Sequence, residues 1–558
     1  MAFWTSLKSG TAPVRVFLQR RWAPVAAIAA VVATTLGVIT DLDSLVRRGG
    51  SLSQAEAAVL AQNVATHLET ESLARGGEFG GNTDLERATR QLARSGDRQV
   101  ERALADLNNG DSDAAFTALE QNARSYERRD PAMAAARWFA TGVLAEAVDP
   151  QRAINAYEHA LGLVPDDPRT LDRLGGVYLE SGDDIRAETL MQRALSLAAA
   201  AEDETEQARI QSSLGSLAWM RGDLDTADDH YARSLELADL NGALVQSARQ
   251  LGNRGLIASA RGDSGSAEAY FDRAYRLMEE AGDALGMAMA RNNLANIHLQ
   301  RGELDRAEDM YRLTLAELDS AGQPGRAALT MASLGSVAES RGDFDSAARF
   351  YERSLRQARD HQYVRAIERA ARNAGWMALR QGDHDRARAF ADEALAAAER
   401  IPDPANLADV LILSVGIAAS AQDDERARTD AARAFGIIDQ RGAPPDTRAY
   451  LHDALALSAF FAGNYAEAEQ QVTQARQLYG EAGQVSAMAE QELRLATLAF
   501  RREAHDEGCA WLEAAEVNYG RSGIISEANR MVDRREAENC PPREIGVASE
   551  SAEPAESQ

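Results

Sequence analysis

The side chains best suited to covalent or metal chemistry are few in this chain and stand far apart. Its 558 residues include two cysteines, Cys509 and Cys540, and eight scattered histidines, with no CxxC or HxxxH spacing. Metal sites need several such ligands close together. One disulfide between the two cysteines remains open, because their spacing neither demands nor forbids it.

The motifs that mark common active sites are also lacking. The sequence has no GxxxxGK[ST] phosphate loop, no GxSxG elbow, no HExxH helix and no dinucleotide fingerprint. The sequence therefore predicts a protein that is not an enzyme. It also predicts no metal, no cofactor and no small-molecule substrate.

The overall charge restricts the class of partner. Sixty lysines and arginines stand against 86 aspartates and glutamates, so the formal net charge is −26 and the pI is about 4.8. An acidic surface repels nucleic-acid phosphates, and no basic stripe offsets it, so no nucleic-acid partner is predicted. Apolar residues make up 45% of the chain and aromatic residues only 6%. This composition favours a helical fold with a large core.

An uncharged segment near the start has the length of a membrane helix. It runs for nineteen residues from Trp22 to Thr40, at the lower end of what spans a bilayer. Four basic residues precede it and two follow: Lys8, Arg15, Arg20, Arg21, Arg47 and Arg48. The positive-inside rule then predicts a single-pass inner-membrane protein with a cytoplasmic N-terminus and a periplasmic body. Export after cleavage of a signal peptide is the alternative.

The strongest feature is an internal repeat with a period of forty residues. Five consecutive units begin at Ser213, Asn253, Asn293, Ser333 and Asn373. Each unit has two stretches with helical periodicity, separated by a glycine and then an acidic residue that can cap the second helix or suit its dipole. RGD triplets at 221–223, 261–263 and 341–343 are explained by this turn rather than by adhesion.

Small and bulky residues alternate between the two predicted helices. The first helix has Gly215 or an equivalent small residue, where a neighbouring helix must approach closely. The second helix has an alanine, a bulky residue four positions later and a small residue three further on, as in Ala227, Tyr231 and Ser234. These side chains lie on one helical face, which predicts close packing within the pair. In the fifth unit, Ala391 replaces the bulky residue.

This pattern resembles the tetratricopeptide repeat (TPR), and its period is similar to that of kinesin light chains and Leu-Gly-Asn-repeat adaptors. The resemblance implies an all-α TPR solenoid, a right-handed superhelix of helix-turn-helix repeats, here with about ten repeats, an N-terminal capping unit and one N-terminal transmembrane helix. The predicted segments are a basic segment at 1–21, a transmembrane helix at 22–40, a flexible or helical lead-in at 41–95, the solenoid at 96–535 and a disordered acidic tail at 536–558.

In TPR proteins the first helices line a concave face that holds peptides or a partner's helix. Carrying the family's positions over gives nine candidate peptide-binding residues: Arg209, Trp219, Arg249, Asn253, Asn293, Asn296, Arg369, Asn373 and Trp376. Asparagine amides can bind both donors and acceptors of a peptide backbone, and arginine can bind a carboxylate. Ser213 and Ser333 replace the asparagine in two units.

The predicted function is that of a membrane-anchored scaffold or adaptor for protein or peptide partners. One alternative is a structural subunit of an envelope complex, in which the array is permanently buried. Another is a TPR sensor module of a regulatory system, which would need an attached effector domain that the sequence does not show.

Overall fold

The computed structural model describes residues 54–74, 83–401, 404–441, 445–522 and 524–541. All regular structure in these residues is α-helical, which confirms the predicted all-α class. The chain divides into two compact units. Unit 1 comprises the residues up to Ala327 together with His361–Val364, and unit 2 comprises Ala328–Asp360 and the residues from Arg365 onward.

In both units, helices pack mainly against their neighbours in sequence. The helices of unit 1 are α1 (Gln54–Ala74), α2 (Thr83–Ala93), α3 (Arg98–Asn108), α4 (Ser112–Tyr126), α5 (Pro131–Glu146), α6 (Pro150–Leu163), α7 (Pro168–Glu180), α8 (Asp184–Ala200), α9 (Glu204–Met220), α10 (Leu224–Leu240), α11 (Leu244–Ala260), α12 (Ser264–Ala281), α13 (Ala284–Gln300) and α14 (Leu304–Ser320). Helix α15 (Pro324–Ser340) contains residues of both units. Unit 2 continues with α16 (Phe344–Asp360), α17 (Val364–Arg380), α18 (His384–Ala398), α19 (Pro404–Ser420), α20 (Asp424–Arg441), α21 (Pro445–Phe461), α22 (Tyr465–Glu481), α23 (Val485–Arg501), α24 (His505–Arg521) and α25 (Ile525–Ala537).

The five forty-residue units are helix pairs with the predicted turns. The turn glycines have φ angles between 74° and 79°, at Gly222, Gly262, Gly302, Gly342 and Gly382. Glycine adopts this left-handed conformation without strain. The aspartate that follows caps the second helix: the Asp223 carboxylate accepts a hydrogen bond from the backbone N–H of Thr226 at 3.1 Å. The same cap is present at Asp263, Asp343 and Asp383.

The third unit departs from this pattern at two linked positions. Glu303 stands at the cap, but its side chain makes no capping hydrogen bond. Its carboxylate instead lies 3.0 Å from Nδ1 of His298, which is buried where neighbouring units have Ala258 and Ala338. A buried imidazole needs a polar partner, and glutamate is one methylene longer than aspartate. The sequence pattern gave Glu303 only a favourable place at the helix dipole and did not identify this pair.

The two helices of a repeat meet where a small residue faces an aromatic ring. A Cβ atom added to Gly215 would lie 2.7 Å from the ring of Tyr231, and one added to Gly255 would lie 2.6 Å from that of Phe271. In unit 2, Gly335 faces a tyrosine ring in the same way, at 2.5 Å. A methyl group has no room at these distances, so the predicted close approach within the pair is confirmed.

Turn arginines link neighbouring repeats of unit 1. Each one forms an ion pair with an acidic residue on the second helix of the preceding repeat. The pairs are Arg221–Glu188 (2.8 Å), Arg261–Asp225 and Arg301–Glu268 (2.5 Å). The arginines of the first two RGD triplets therefore serve the stacking of repeats.

Helices α1 and α2 lie within the predicted lead-in at 41–95 and pack into the core of unit 1. Leu60 and Leu68 of α1 and Leu85 and Leu92 of α2 are buried in one apolar cluster with residues of α3. Each fully buried leucine contributes about 1.5–3 kcal/mol of hydrophobic stabilisation. These residues of the lead-in are thus structural.

The predicted transmembrane segment at 22–40 lies outside the described residues, as does the basic segment at 1–21. Among the helices that the structure does describe, none is long and apolar enough to cross a bilayer. The most apolar of them, α19, has seventeen residues and buries its side chains against neighbouring helices of unit 2. The predicted localisation as a single-pass inner-membrane protein with a periplasmic body is contradicted by this finding and is wrong on that basis. A membrane partner is likewise unsupported.

A disulfide fastens the C-terminal end of unit 2. It joins Cys509 on α24 to Cys540, which follows α25. Nε2 of His505 lies 2.6 Å from the carbonyl oxygen of Glu538, close to the bridge. Helix α25 ends at Ala537, inside the predicted tail, and the tail beyond residue 541 lies outside the described residues.

Replacing Gly215 by alanine tests the contact within the repeat. Because the added Cβ would lie 2.7 Å from the Tyr231 ring, we expect Gly215→Ala to lower the free energy of unfolding by about 1–3 kcal/mol. Urea denaturation followed by circular dichroism measures the change. Gly176→Ala is the matched control, because nothing lies within 4 Å of a Cβ at this helical position, and it should stabilise by about 0.5–1 kcal/mol. Equal losses in the two variants would contradict the proposed contact.

Removing the disulfide tests how α25 is held. The bridge joins residues 31 positions apart, and closing a loop of this size stabilises the native state by about 3–4 kcal/mol in the chain-entropy model. We therefore expect Cys540→Ser to increase hydrogen exchange at the α25 amides, with little change at α10. Adding a reductant to the variant should have no further effect. Unchanged protection of α25 would show that packing alone holds this helix.

Candidate binding surface

The first helices of neighbouring repeats form one surface of unit 1. Gln250 on α11 donates a hydrogen bond to Ser212 on α9 at 3.1 Å, and Ser259 on α11 lies 3.4 Å from Gln300 on α13. The exposed side of α9, α11 and α13 is termed the first-helix surface. Six of the nine candidate residues lie on these helices: Arg209, Trp219, Arg249, Asn253, Asn293 and Asn296.

Charge is divided unequally between first and second helices of unit 1. Helices α9, α11 and α13 together have four arginines and two acidic residues, a formal charge of +2, and both acidic residues are on α9. The second helices α10, α12 and α14 have five arginines and fourteen acidic residues, a formal charge of −9. The acidity of this region therefore lies on the second helices.

Helix α2 covers the first helices that precede this surface. Asp84 of α2 accepts hydrogen bonds from Arg169 and Arg173 of α7 at 2.7 and 2.8 Å, and Arg173 also pairs with Glu146 of α5 at 3.1 Å. Burial opposes ionisation of Asp84, but Arg173 and Arg169 outweigh it and hold the pKa of this carboxyl below its ordinary value. Sequence reasoning did not find this network, because α2 lies outside the repeat register.

Arg209 is engaged in an ion pair within unit 1. Its guanidinium contacts the carboxylates of Asp172 on α7 and Glu206 on its own helix. Burial raises the pKa of Asp172, while Arg209 acts in the opposite direction. Ser213 also donates a hydrogen bond to the Asp172 carboxylate, at 3.2 Å. This candidate residue therefore bridges α7 and α9.

Asn296 has a partner inside its own repeat. Its side-chain oxygen accepts a hydrogen bond of 2.5 Å from the hydroxyl of Tyr311. The same contact in other repeats joins Ser216 to Tyr231 (3.2 Å) and Ser336 to Tyr351 (3.1 Å). In the second unit the ring is Phe271, which has no hydroxyl, and the residue at the equivalent position is Leu256. The polar residue is thus present where a buried hydroxyl needs it.

Asn253 and Asn293 lie one repeat apart on the first-helix surface. Both side chains are half-buried. Within the part of the chain that the structure describes, neither carboxamide has a hydrogen-bond partner. Each can therefore donate to and accept from another molecule.

Three apolar side chains are exposed on the same surface. Trp219 is 38% exposed, and Leu256 and Met289 are each 43% exposed. Sequence analysis singled out Trp219 but missed the other two. The sequence has a signal for each of them. For Leu256 it is that the ring of this unit is Phe271, which has no hydroxyl to satisfy. For Met289 it is that earlier units have an arginine at this position.

In unit 2, Arg369 and Asn373 differ in their surroundings. Arg369 donates a hydrogen bond to Ser333 at 3.4 Å. The half-buried Asn373 carboxamide has no hydrogen-bond partner among the described residues. The binding role of both residues stays a prediction.

Trp376 packs into the core of its repeat. It lies against the cluster that contains Ala387 and Ala391, and its ring meets that of Tyr450 edge-on with centroids 5.7 Å apart. Ala391 stands where other units have an aromatic residue, and a Cβ atom added to Gly375 of this unit would lie 3.0 Å from the side chain of Leu413 on α19. Leu413 therefore occupies the space beside the glycine. The binding role of Trp376 stays a prediction.

Family models agree with this architecture. Models described as tetratricopeptide repeat match residues 166–239, 246–316 and 330–362. These segments are tetratricopeptide repeats. They contain most of the first-helix surface and the Gly335 contact. No curated protein matches the chain.

Several solved structures are similar to the chain at low sequence identity. BtubC (BKLC) from P. vanneervenii is 23% identical, with 44% of this chain and 89% of that chain covered and a TM-score of 0.32. A Rap protein complexed with competence and sporulation factor is 13% identical over 67% and 99% of the two chains, with a TM-score of 0.42. The apo form of the quorum sensor NprR from B. thuringiensis is 14% identical over the same shares, with a TM-score of 0.41. At these values the likeness carries no functional conclusion.

The Asp84 network predicts a pH-dependent stability. Because the folded-state pKa of Asp84 is lowered, its contribution is present above the ordinary carboxyl pKa of about 4 and is lost as the pH falls through the lowered value. We expect Asp84→Asn to destabilise the protein by about 2 kcal/mol at pH 7 and by progressively less below about pH 4. Thermal unfolding of both proteins over this pH range measures the difference. A difference independent of pH would rule out the ionised carboxylate as its source.

Proposed function

We propose that the chain is a non-catalytic scaffold or adaptor that holds an extended segment of a protein partner on the first-helix surface of unit 1. The segment would run across α9, α11 and α13. In TPR proteins this is the concave face, and the forty-residue period supports a place in the longer-helix class that includes kinesin light chains.

The observation that carries the proposal is the pair of unpaired carboxamides at Asn253 and Asn293. The other polar candidate residues on these helices have interactions within the chain, as Arg209 has with Asp172 and Asn296 with Tyr311. An extended peptide offers alternating N–H and C=O groups, which is what two amides one repeat apart can bind without regard to side-chain sequence.

Apolar contacts would supply most of the affinity. Trp219, Leu256 and Met289 are partly exposed on the same three helices, and burying apolar area contributes about 25 cal/mol per Å². A hydrogen bond that replaces one to water adds only about 0.5–1.5 kcal/mol. The surface thus combines a modest backbone clamp with a larger apolar contribution.

Peptide selection with the full chain tests the proposal. Random linear peptides displayed on phage would be selected on the immobilised protein, and the affinity of an enriched peptide measured by fluorescence anisotropy. We expect the double variant Asn253→Ala/Asn293→Ala to bind about tenfold more weakly or worse, because two hydrogen bonds are lost.

The matched control is Glu236→Ala, an exposed residue on the second helix α10. It should bind like the unsubstituted protein. Circular dichroism would confirm that both variants remain folded. Equal affinities for the double variant and the control would refute binding at this surface.

A further inference from the structure

Successive first helices pack against each other at a series of junctions. The residue types at one pair of equivalent positions differ from junction to junction. Where α7 meets α9, Asp172 contacts Arg209 across the junction. In unit 2 the equivalent junction of α17 and α19 has the reversed pair, with Arg372 3.9 Å from Asp409. Both pairs join residues 37 positions apart. The other four junctions of this register have no charged pair at this place: Ser212–Arg249, Gly252–Met289, Asn292–Leu329 and Ala332–Arg369.

At the junction of α11 and α13 the same register has no charge. Eighty residues after Asp172 and Arg209 stand Gly252 and Met289. A Cβ atom at Gly252 would have nothing within 4 Å. Met289 and nearby Leu256 are each 43% exposed. Gly252 is the one glycine among the six equivalent positions of this register (172, 212, 252, 292, 332 and 372). On the other side of the junction, the guanidinium of Arg326 on α15 contacts Sδ of Met289. The surface formed by Gly252, Leu256 and Met289 is termed the α11–α13 recess.

Stability does not account for the glycine. Glycine is the least favourable residue in a helix interior apart from proline, and the open space at Gly252 would accept alanine without a clash. At Gly215, by contrast, a ring 2.7 Å away excludes a side chain. Gly252 therefore lowers the stability of the helix, and no neighbouring group in the described part of the protein occupies the space where its side chain would be.

We propose that the α11–α13 recess receives an apolar side chain of the bound segment and so selects which segments bind. This inference rests on the proposed function and adds a side-chain preference to it. The flanking amides of Asn253 and Asn293 would hold the backbone on either side. The three residues of the recess would then surround the inserted side chain.

Charge complementarity indicates the rest of the segment. Helices α11 and α13 have no acidic residue, so a basic segment would find no counter-charge on them. Arg254 is paired with Asp228 at 2.7 Å and Arg291 with Glu317, both on second helices. The occupant is therefore an extended, neutral or acidic segment of another protein with one apolar anchor residue.

Filling the recess tests the proposal in the full chain. Peptides enriched from a random phage library on the unsubstituted protein should share an apolar residue at one position. Gly252→Leu should raise the midpoint of urea unfolding, because leucine is a better helix former, yet weaken binding of such a peptide about tenfold or more. Gly252→Ala should raise the midpoint too and weaken binding less.

The outcomes separate the recess from the proposed function. If Gly252→Leu binds as tightly as the unsubstituted protein while Asn253→Ala/Asn293→Ala binds weakly, the recess is refuted and the backbone clamp stands. If neither variant weakens binding, or if no peptide is enriched on the unsubstituted protein, both are refuted. Loss of binding in Gly252→Leu with a raised unfolding midpoint supports the recess, because misfolding cannot explain it.

Discussion

The close approach of a small residue to a bulky side chain, an aromatic ring in several of the pairs, is the constraint on which these repeats depend. It sets the separation of the two helices, and the structure preserves it even where the residues exchange places. Gly142 faces Tyr157 at 2.6 Å before the forty-residue units begin, whereas in the last repeat the glycine is Gly508 on the second helix and the ring is Phe500 on the first. Where no ring is present another bulky side chain takes its place, Met191 beside Gly175 and Leu413 beside Gly375, since an unfilled gap between packed helices costs stability. A buried tyrosine ring brings a hydroxyl that must be satisfied, and burial raises the pKa of Tyr157, whose hydroxyl donates to Glu146 at 2.5 Å.

Contacts between repeats have a different character. Along the second helices of unit 1 they include ion pairs such as Arg221–Glu188 and Arg273–Asp239, whose side chains are roughly a third to a half exposed. Exposed pairs of this kind contribute only about 0–1 kcal/mol each. They cannot hold the stack together by themselves, but they disfavour a shifted register in which like charges would meet. Apolar burial therefore holds the helices of each unit together. The charges on the second helices help to select the correct register between repeats.

The parts of the fold that the sequence predicted are those that recur at a fixed spacing. The turn at Gly222, the cap at Asp223 and the contact of Gly215 with Tyr231 can each be found by comparing one unit with the next. The features that were not predicted are those that do not recur from one repeat to the next. Asp84 pairs with Arg173, which lies 89 positions later in the sequence, and the sequence around neither residue indicates this pairing. In the fifth unit the sequence shows only that Ala391 replaces a ring, because the side chain beside Gly375 is Leu413, which comes from the next repeat.

The candidate site shows the same division, and it also shows why the type of a residue is a weak guide to binding. The family resemblance gave Asn253, Asn293 and Asn296 equal standing, yet Asn296 satisfies a buried hydroxyl while the other two amides have no partner within the described residues. A polar group exposed to water costs little, whereas one enclosed without a partner costs about 1–3 kcal/mol. Covering Asn253 and Asn293 is therefore favourable only for an occupant that hydrogen-bonds to both, which an extended backbone can do and a purely apolar surface cannot. In the proposed complex the amides would therefore reject the wrong class of occupant more strongly than they attract the right one, and exposed apolar side chains of the same helices would provide the attraction.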